Sequence, residues 1–496
     1  MLSVLSVLSV LSLFGNAAAG LSDVGAFRVQ PCGFERLSAR CGYMRVPQDH
    51  GATDDIKIQF PVVILSNPNV EARAPVVVVG GGGPGNSLGL DEASVHYYQT
   101  LFADTFLARG HAVILMDQRG VGQAIPSTGC VEIVEELERS FAEVSNDHLE
   151  WGGTKRAMRR CQQRLSSVGV DLIRYDTLAS AADLEALRIA LGIRRWILYG
   201  VSYGGQLALE VMRQNPATVQ AAILDSPATQ QFYYHESAGQ LVDAAIERIF
   251  VSCQRNATCR KRFPALRADT LTLLHRLSVS PVEIVLNHPH EATSYRFIMD
   301  RRRLADVLFD ALYDPANLAT LPIALASAKA GSFAQLVPYI SSFLSFQFDH
   351  RFGDGMAVAT NCRDEIANTP DDAVPDYTER FSGRNNKVQF REAQALCQTL
   401  RLGTAGPLAK VAVKSEIRTL VLSGENDPIT PPHIAEELLD HLSNAMLARL
   451  PDESHHVLNN RCAQIVVGLW LDGDERHAAE VCIRETSITP SIEVSH

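Results

Sequence analysis

The stretch Tyr199-Gly200-Val201-Ser202-Tyr203-Gly204-Gly205 sets a serine between glycines. It follows the apolar run 196–199 and precedes 206–214, where Leu207, Val211 and Met212 share one side of a helix. A serine at such a strand-to-helix turn is held in a strained conformation that lifts its hydroxyl above the sheet, and the small flanking residues let strand and helix approach closely. The backbone N–H of Tyr203 would then point at a developing acyl oxyanion. Ser202 is the candidate nucleophile; the competing reading is a serine in the tight turn of a nucleotide-binding fold.

A serine hydroxyl is a weak nucleophile and needs a histidine to take its proton and an acid to orient that histidine. Asp427, in Ser423-Gly424-Glu425-Asn426-Asp427-Pro428 after an apolar strand, is the candidate acid. Glu425 is the neighbouring alternative, and a plain Asn-Asp-Pro turn is the competing reading. Asp452-Glu453-Ser454-His455-His456-Val457 follows the last strand and offers two adjacent imidazoles, His455 and His456, which chemistry alone does not separate. A second oxyanion donor would come from Gly80-Gly81-Gly82-Gly83-Pro84-Gly85, with Gly82 and Gly83 as candidates, because glycine brings backbone against a substrate without an intervening side chain. No Lys-Ser or Lys-Thr pair follows these glycines, which excludes a Walker-type phosphate loop.

The elements that must position these residues read as strands at 56–65, 76–79, 111–116, 196–199, 221–225, 418–423 and 446–450, with helices at 176–191, 206–214 and 461–471. From 230 to 405 the strand rhythm gives way to helical patterns, for example 240–251, 303–313 and 321–330. The expected architecture is α/β: a mostly parallel doubly wound sheet with an inserted helical cap. The expected units are a signal peptide at 1–19, the first part of the core at 20–229, the cap at 230–405 and the second part of the core at 406–496.

With 496 residues, 46% hydrophobic and 20% charged, the chain has ample material for a large core. A formal net charge of -11 argues against nucleic acid or an anionic membrane as the main partner. Residues 1–19 form an apolar stretch ending in Ala17-Ala18-Ala19, the pattern of a secretory signal peptide, although no lysine or arginine stands near the start. No later run of about 18 apolar residues follows, so no membrane anchor is expected. Ten cysteines suit an oxidising compartment and five disulfides, for which pairing of sequence neighbours is the simplest scheme: Cys32 with Cys41, Cys130 with Cys161, Cys253 with Cys259, Cys362 with Cys397 and Cys462 with Cys482. No cysteine or histidine cluster has zinc spacing, and no cofactor or metal is expected.

Taken together, Gly82-Gly83-Pro84-Gly85, Asp117-Gln118-Arg119-Gly120-Val121-Gly122 and Gly200-Val201-Ser202-Tyr203-Gly204-Gly205 resemble the motifs of α/β-hydrolase peptidases of the proline iminopeptidase and tripeptidyl aminopeptidase group. The secreted members with a C-terminal tripeptidyl-aminopeptidase-like region are the most similar. Tyr175-Asp176-Thr177 and Cys362-Arg363-Asp364 add to the likeness, which extends over most of the chain after residue 19. The resemblance implies Ser202 as nucleophile, Asp427 as acid and a histidine from a segment written G-H-G before a cysteine; His455, with Cys462 downstream, fits better than His456. Ser454 and His456 stand where the family has glycines, and Gly81 stands where iminopeptidases have histidine. The family also implies that Asp117 and Arg119 brace the loops through a salt bridge. Cap carboxylates, here Asp364 and Glu365, would hold the substrate's free ammonium, because a buried ammonium needs a paired charge; a solvated acidic turn is the other reading of that pair. The expectation is an exported serine aminopeptidase that releases one to three residues from peptides with a free N-terminus. An esterase or other small-molecule hydrolase with the same triad, and a catalytically silent binding protein of the same fold, remain as alternatives.

Overall fold

Strand assignment in this chain follows burial rather than simple alternation. In the computed structural model, which describes residues 25–34, 39–52, 56–80, 83–232 and 234–485 (backbone alone at 235–236 and 482–485), the strands are β1 (Phe27–Gln30), β2 (Arg40–Pro47), β3 (Lys57–Leu65), β4 (Val76–Val78), β5 (Val113–Met116), β6 (Trp196–Val201), β7 (Val219–Asp225), β8 (Val282–Asn287), β9 (Ser294–Met299), β10 (Thr419–Gly424) and β11 (Ala445–Leu450). The expected signal peptide at 1–19 lies outside the described residues, as do Gly81 and Gly82.

Among the described residues one sheet has the order β1-β2-β3-β5-β4-β6-β7-β10-β11. The six strands from β5 to β11 in that order are parallel, and β1, β2 and β3 add an antiparallel flank. β4 and β10 are buried throughout and β6 nearly so, because helices cover both faces; this is why they read as continuous apolar runs. One face packs Leu184, Leu207 and Val211 against the sheet, and the other packs Phe102, Val466 and Trp470. The chain goes from β4 to β5 on one side and returns to β6 on the other. The carboxyl ends of β4 and β6 therefore border a topological switch point, the place where open α/β sheets leave a crevice for ligands.

Between β7 and β10 the chain forms the helices Tyr234–Arg255, Leu266–Val279, Arg301–Ala311, Asn317–Lys329 and Val337–Gln347. They enclose a second core around Leu273, Phe297, Leu308 and Phe348, which also takes in Val134 and Phe141 from an earlier helix. The purely helical rhythm expected here is corrected by the antiparallel hairpin β8–β9. Its inward residues Ile284, Leu286, Phe297 and Met299 have the period of two that a half-buried ribbon requires, but over only six residues per strand, too short to stand out among amphipathic helices.

Four disulfides join Cys32 to Cys41, Cys130 to Cys161, Cys253 to Cys259 and Cys362 to Cys397. The expected partner of Cys462, Cys482, has its side chain outside the described residues.

The expected Asp117–Arg119 salt bridge is not made. Asp117 is enclosed by its own downstream turn and the exit of the glycine loop, accepting Ser87 Oγ at 2.9 Å and the N–H groups of Gln123 at 3.0 Å and Leu88 at 3.2 Å. Arg119, fully buried, instead grips Asp183 through Nε at 2.7 Å and Nη2 at 2.6 Å, and gives Nη1 to the carbonyls of Gln48 and Arg174. This pair ties the β5 loop to the Thr177–Ala190 helix. Removing one member of a buried pair strands the other charge. Arg119→Ala leaves Asp183 with only the part-exposed His50, 2.7 Å from its Oδ1, and should therefore lower stability by roughly 3–5 kcal/mol in denaturant unfolding; an unchanged midpoint would show that His50 alone satisfies Asp183.

Candidate active site

Ser202 directly follows β6 and caps the Tyr203–Gln214 helix with φ 55° and ψ -122°. A residue with a side chain persists in that region only where its surroundings over-determine it. Here its N–H donates to the Asp225 carbonyl at 3.1 Å, and its carbonyl accepts Gly205 N–H at 2.8 Å and Ala228 N–H at 2.9 Å. Gly204 is required by contact: a Cβ there would sit 2.3 Å from the carbonyl oxygens of both Val79 and Gly80. The elbow and the glycine loop are thus pressed together at the switch point.

Tyr203 begins the helix, where backbone N–H groups lack partners within it. Its side chain is buried, with its hydroxyl 2.9 Å from Thr177 Oγ1. Gly83, the described member of the proposed second donor pair, lines the same cavity; Gly82 is outside the described residues.

Asp427 follows β10, fully buried. Its Oδ2 accepts His455 Nδ1–H at 2.8 Å, and its Oδ1 accepts the N–H groups of Thr430 at 2.8 Å and Ile429 at 2.9 Å. Burial works to raise this carboxyl, but the charge and hydrogen bond of His455, together with the two N–H groups, outweigh it and hold the acid below its ordinary range. For His455 burial opposes the charged form, yet the Asp427 carboxylate raises it above the usual 6.5. The Tyr313 ring meets the His455 ring edge-on, with centroids 5.2 Å apart. Bonding at Nδ1 leaves Nε2 for the serine. Among the described residues neither His455 Nε2 nor Ser202 Oγ makes a hydrogen bond, and both groups line the cavity; such contacts commonly tighten only when substrate arrives.

The two histidines are separated by tertiary contacts. His456 has φ 64°, which is why glycine suits this position. Its Nε2 lies 3.2 Å from Tyr199 Oη, whose own hydrogen goes to Asp225 Oδ2 at 2.9 Å, so the ring is engaged away from Asp427. Burial, the largest influence, lowers its pKa. Glu425, the alternative acid, faces Arg449 at 3.6 Å instead of either histidine.

The cavity measures about 1010 Å³ and is walled by both the sheet's carboxyl edge and the inserted helices. Asp364 and Glu365 sit in its wall on the π-helical turn Asn361–Glu365. Asp364 is 3% exposed; Oδ2 accepts Thr177 N–H at 3.2 Å, while Oδ1 is buried without a hydrogen-bond partner. Burial, with Asp176 nearby, pushes its carboxyl up to about 7. Sequence reasoning missed three contributors. Asp225 and Ser226, noted only as a strand end and a breaker, hold the histidine loop: Asp225 accepts the N–H groups of Val457 at 2.9 Å and Leu458 at 3.1 Å, and Ser226 Oγ that of His456 at 3.1 Å. Asp310 also lines the cavity; the helical spacing of Asp306, Asp310 and Asp314 was the available signal.

Residues 75–260 match the family described as alpha/beta hydrolase fold, and residues 385–482 match that described as TAP-like protein. Serine protease Hip1 of Mycobacterium tuberculosis is 24% identical over 432 residues, covering 82% of this chain and 80% of its own. Tripeptidyl aminopeptidase of Streptomyces lividans is 28% identical over 218 residues, 42% of this chain and 39% of its own. A probable proline iminopeptidase of Streptomyces coelicolor is 27% identical over 183 residues, 37% and 41% respectively.

Any side chain at position 204 would meet the glycine loop. Gly204→Ala must push the glycine loop off the elbow and should cost roughly 1–3 kcal/mol in unfolding experiments, together with most of the reactivity of Ser202 toward a fluorophosphonate. Wild-type labelling of this variant would mean the two loops are not in contact.

Proposed function

We propose that this α/β hydrolase with its TAP-like C-terminal region is an exported serine aminopeptidase that releases short N-terminal fragments, one to three residues, from peptides through an acyl-enzyme. The observation that carries the reading is the 2.8 Å contact between His455 Nδ1 and Asp427 Oδ2, in the wall of the cavity that also holds the strained Ser202. Names of the relatives, serine protease and tripeptidyl aminopeptidase, support peptide substrates.

In this reading His455 Nε2 takes the proton of Ser202 as Oγ attacks the scissile carbonyl. The oxyanion is met by the N–H of Tyr203 and one from Gly82 or Gly83. His455 then protonates the leaving amine, and water, deprotonated by the same nitrogen, releases the acyl fragment. Asp427 keeps the imidazole in the tautomer that leaves Nε2 free and stabilises the imidazolium. Asp364 and Glu365 receive the ammonium of the substrate, with the free Oδ1 of Asp364 as the principal acceptor. A cavity of about 1010 Å³, at the upper end of the roughly 300–1,000 Å³ usual for ligand pockets, favours more than one released residue. The apolar stretch 1–19, which has the pattern of a signal peptide, and the disulfides support export.

Chromogenic amides carrying one, two or three residues, each with a free or acetylated amino terminus, test this reading beside a short-chain ester. Cleavage of one length that disappears on acetylation is expected; ester turnover with every amide untouched would transfer the protein to the esterases.

His455→Ala should lower kcat by on the order of 10⁴-fold or more, whereas His456→Ala should retain most activity; the opposite order would reverse the assignment. The base works as the neutral form, and its folded pKa lies above 6.5. Activity should therefore rise with pH along an acidic limb centred above 6.5. Asp427→Asn removes the charge that raises His455, so the limb should move to lower pH as kcat falls, and a limb that stays in place would separate Asp427 from the histidine's ionisation.

A further inference from the structure

The cavity wall contains five carboxylates, Asp306, Asp310, Asp314, Asp364 and Glu365, against one arginine and one lysine, Arg303 and Lys410. Neither cation pairs with Asp310: Arg303 bonds Glu150 and Ser140 and lies 3.8 Å from Asp306, and Lys410 bonds the Phe232 carbonyl at 3.3 Å. Asp306 is neutralised by Arg384 at 2.9 Å, and Asp314 accepts the N–H of Ala316 at 2.9 Å. Asp310 accepts no side-chain hydrogen bond and meets no cation among the described residues, and burial alone pushes its carboxyl up to about 6. A desolvated carboxylate without a counter-charge is stabilised by any cation that enters. Asp364, almost fully buried with Oδ1 unpartnered, is a second such point on a different element.

Asp306, Asp310 and Asp314 follow one another at helical intervals of four along the Arg301–Ala311 helix and its exit. Tyr313, one turn beyond Asp310, packs its ring on His455. A cation at Asp310 thus lies close to the reacting centre. Phe309 and Phe343, also in the wall, offer apolar surface for a methylene stem.

We propose that Asp310 forms a subsite for a lysine or arginine side chain of the substrate, so that the enzyme selects peptides with a basic residue among those it releases. This rests on the aminopeptidase reading, in which the amino terminus goes to Asp364 and Glu365. The subsite supplies selection among peptides, and the triad supplies the chemistry.

The test uses the full chain and matched amides with lysine, norleucine or glutamate at each released position, amino terminus free or acetylated. Rates are normalised to the fraction of Ser202 that reacts with a fluorophosphonate, which removes misfolded enzyme from the comparison. The wild type should favour lysine over norleucine at one position by about tenfold or more in kcat/KM, as expected for a charge-assisted contact. Asp310→Asn should collapse that ratio toward one, and Asp310→Lys should invert the ranking in favour of glutamate. Equal turnover of lysine and norleucine at every position, or a lysine preference that survives Asp310→Asn, would overturn the subsite while leaving the aminopeptidase reading intact. A variant that loses discrimination against acetylation, with its lysine preference unchanged, would show that Asp310 holds the ammonium instead, and would also overturn the subsite. Failure of every amide alongside ester turnover would overturn the aminopeptidase reading itself and the subsite with it.

Discussion

At the carboxyl end of β7, Asp225 is buried between the two halves of the site. Its main-chain carbonyl accepts the N–H of Ser202, and its carboxylate accepts the N–H groups of Val457 and Leu458 and the hydroxyl of Tyr199. A buried carboxylate has to be satisfied by donors, and here the donors come from the serine's own strand and from the histidine loop. The same demand that stabilises the Asp225 charge fixes the separation of two segments more than two hundred residues apart in the chain. Ser226 extends the arrangement by accepting the N–H of His456 and offering its carbonyl to Thr430, the residue beside Asp427. Serine, histidine and acid thus converge on the end of one strand.

Two further carboxylates show how environment assigns different chemistry to the same group. Asp427 and Asp364 are both buried. Asp427 is surrounded by N–H donors and an imidazole, and stays ionised; Asp364 has one backbone donor, a neighbouring Asp176 and an open oxygen, and is raised toward neutrality. The first is suited to orient and stabilise an imidazolium. The second, held close to neutral by burial, would be favoured in its ionised form by a cation placed beside it.

The inserted helices around Leu273 and Phe297 share a core with Val134 and Phe141 from an earlier helix, whereas the turn that carries Asp364 packs through Cys362 and Ile366 into the core under the sheet. The sheet's carboxyl edge carries the candidate triad, and the facing wall carries acids and aromatics. Tyr313 crosses the boundary, packing on His455 from the inserted side.

The amino-acid sequence by itself determined the parallel strands and pointed to the elbow at Ser202, to Asp427 with Glu425 as its alternative, and to the glycine loop, because each depends on residues adjacent in the chain: an apolar run, a small residue at a turn, a breaker after a strand. It also allowed the cysteine pairs to be proposed from sequence proximity, and four of them form. The hairpin β8–β9 was hidden because its alternation is short and surrounded by amphipathic helices. The chemistry of two neighbouring imidazoles left His455 and His456 equal, and only the family resemblance favoured His455; the tertiary structure separates them by which carboxylate folding brings within 2.8 Å. It also replaced the expected Asp117–Arg119 pair by Arg119–Asp183, because a buried guanidinium takes the bidentate partner that packing presents rather than the charge nearest in sequence.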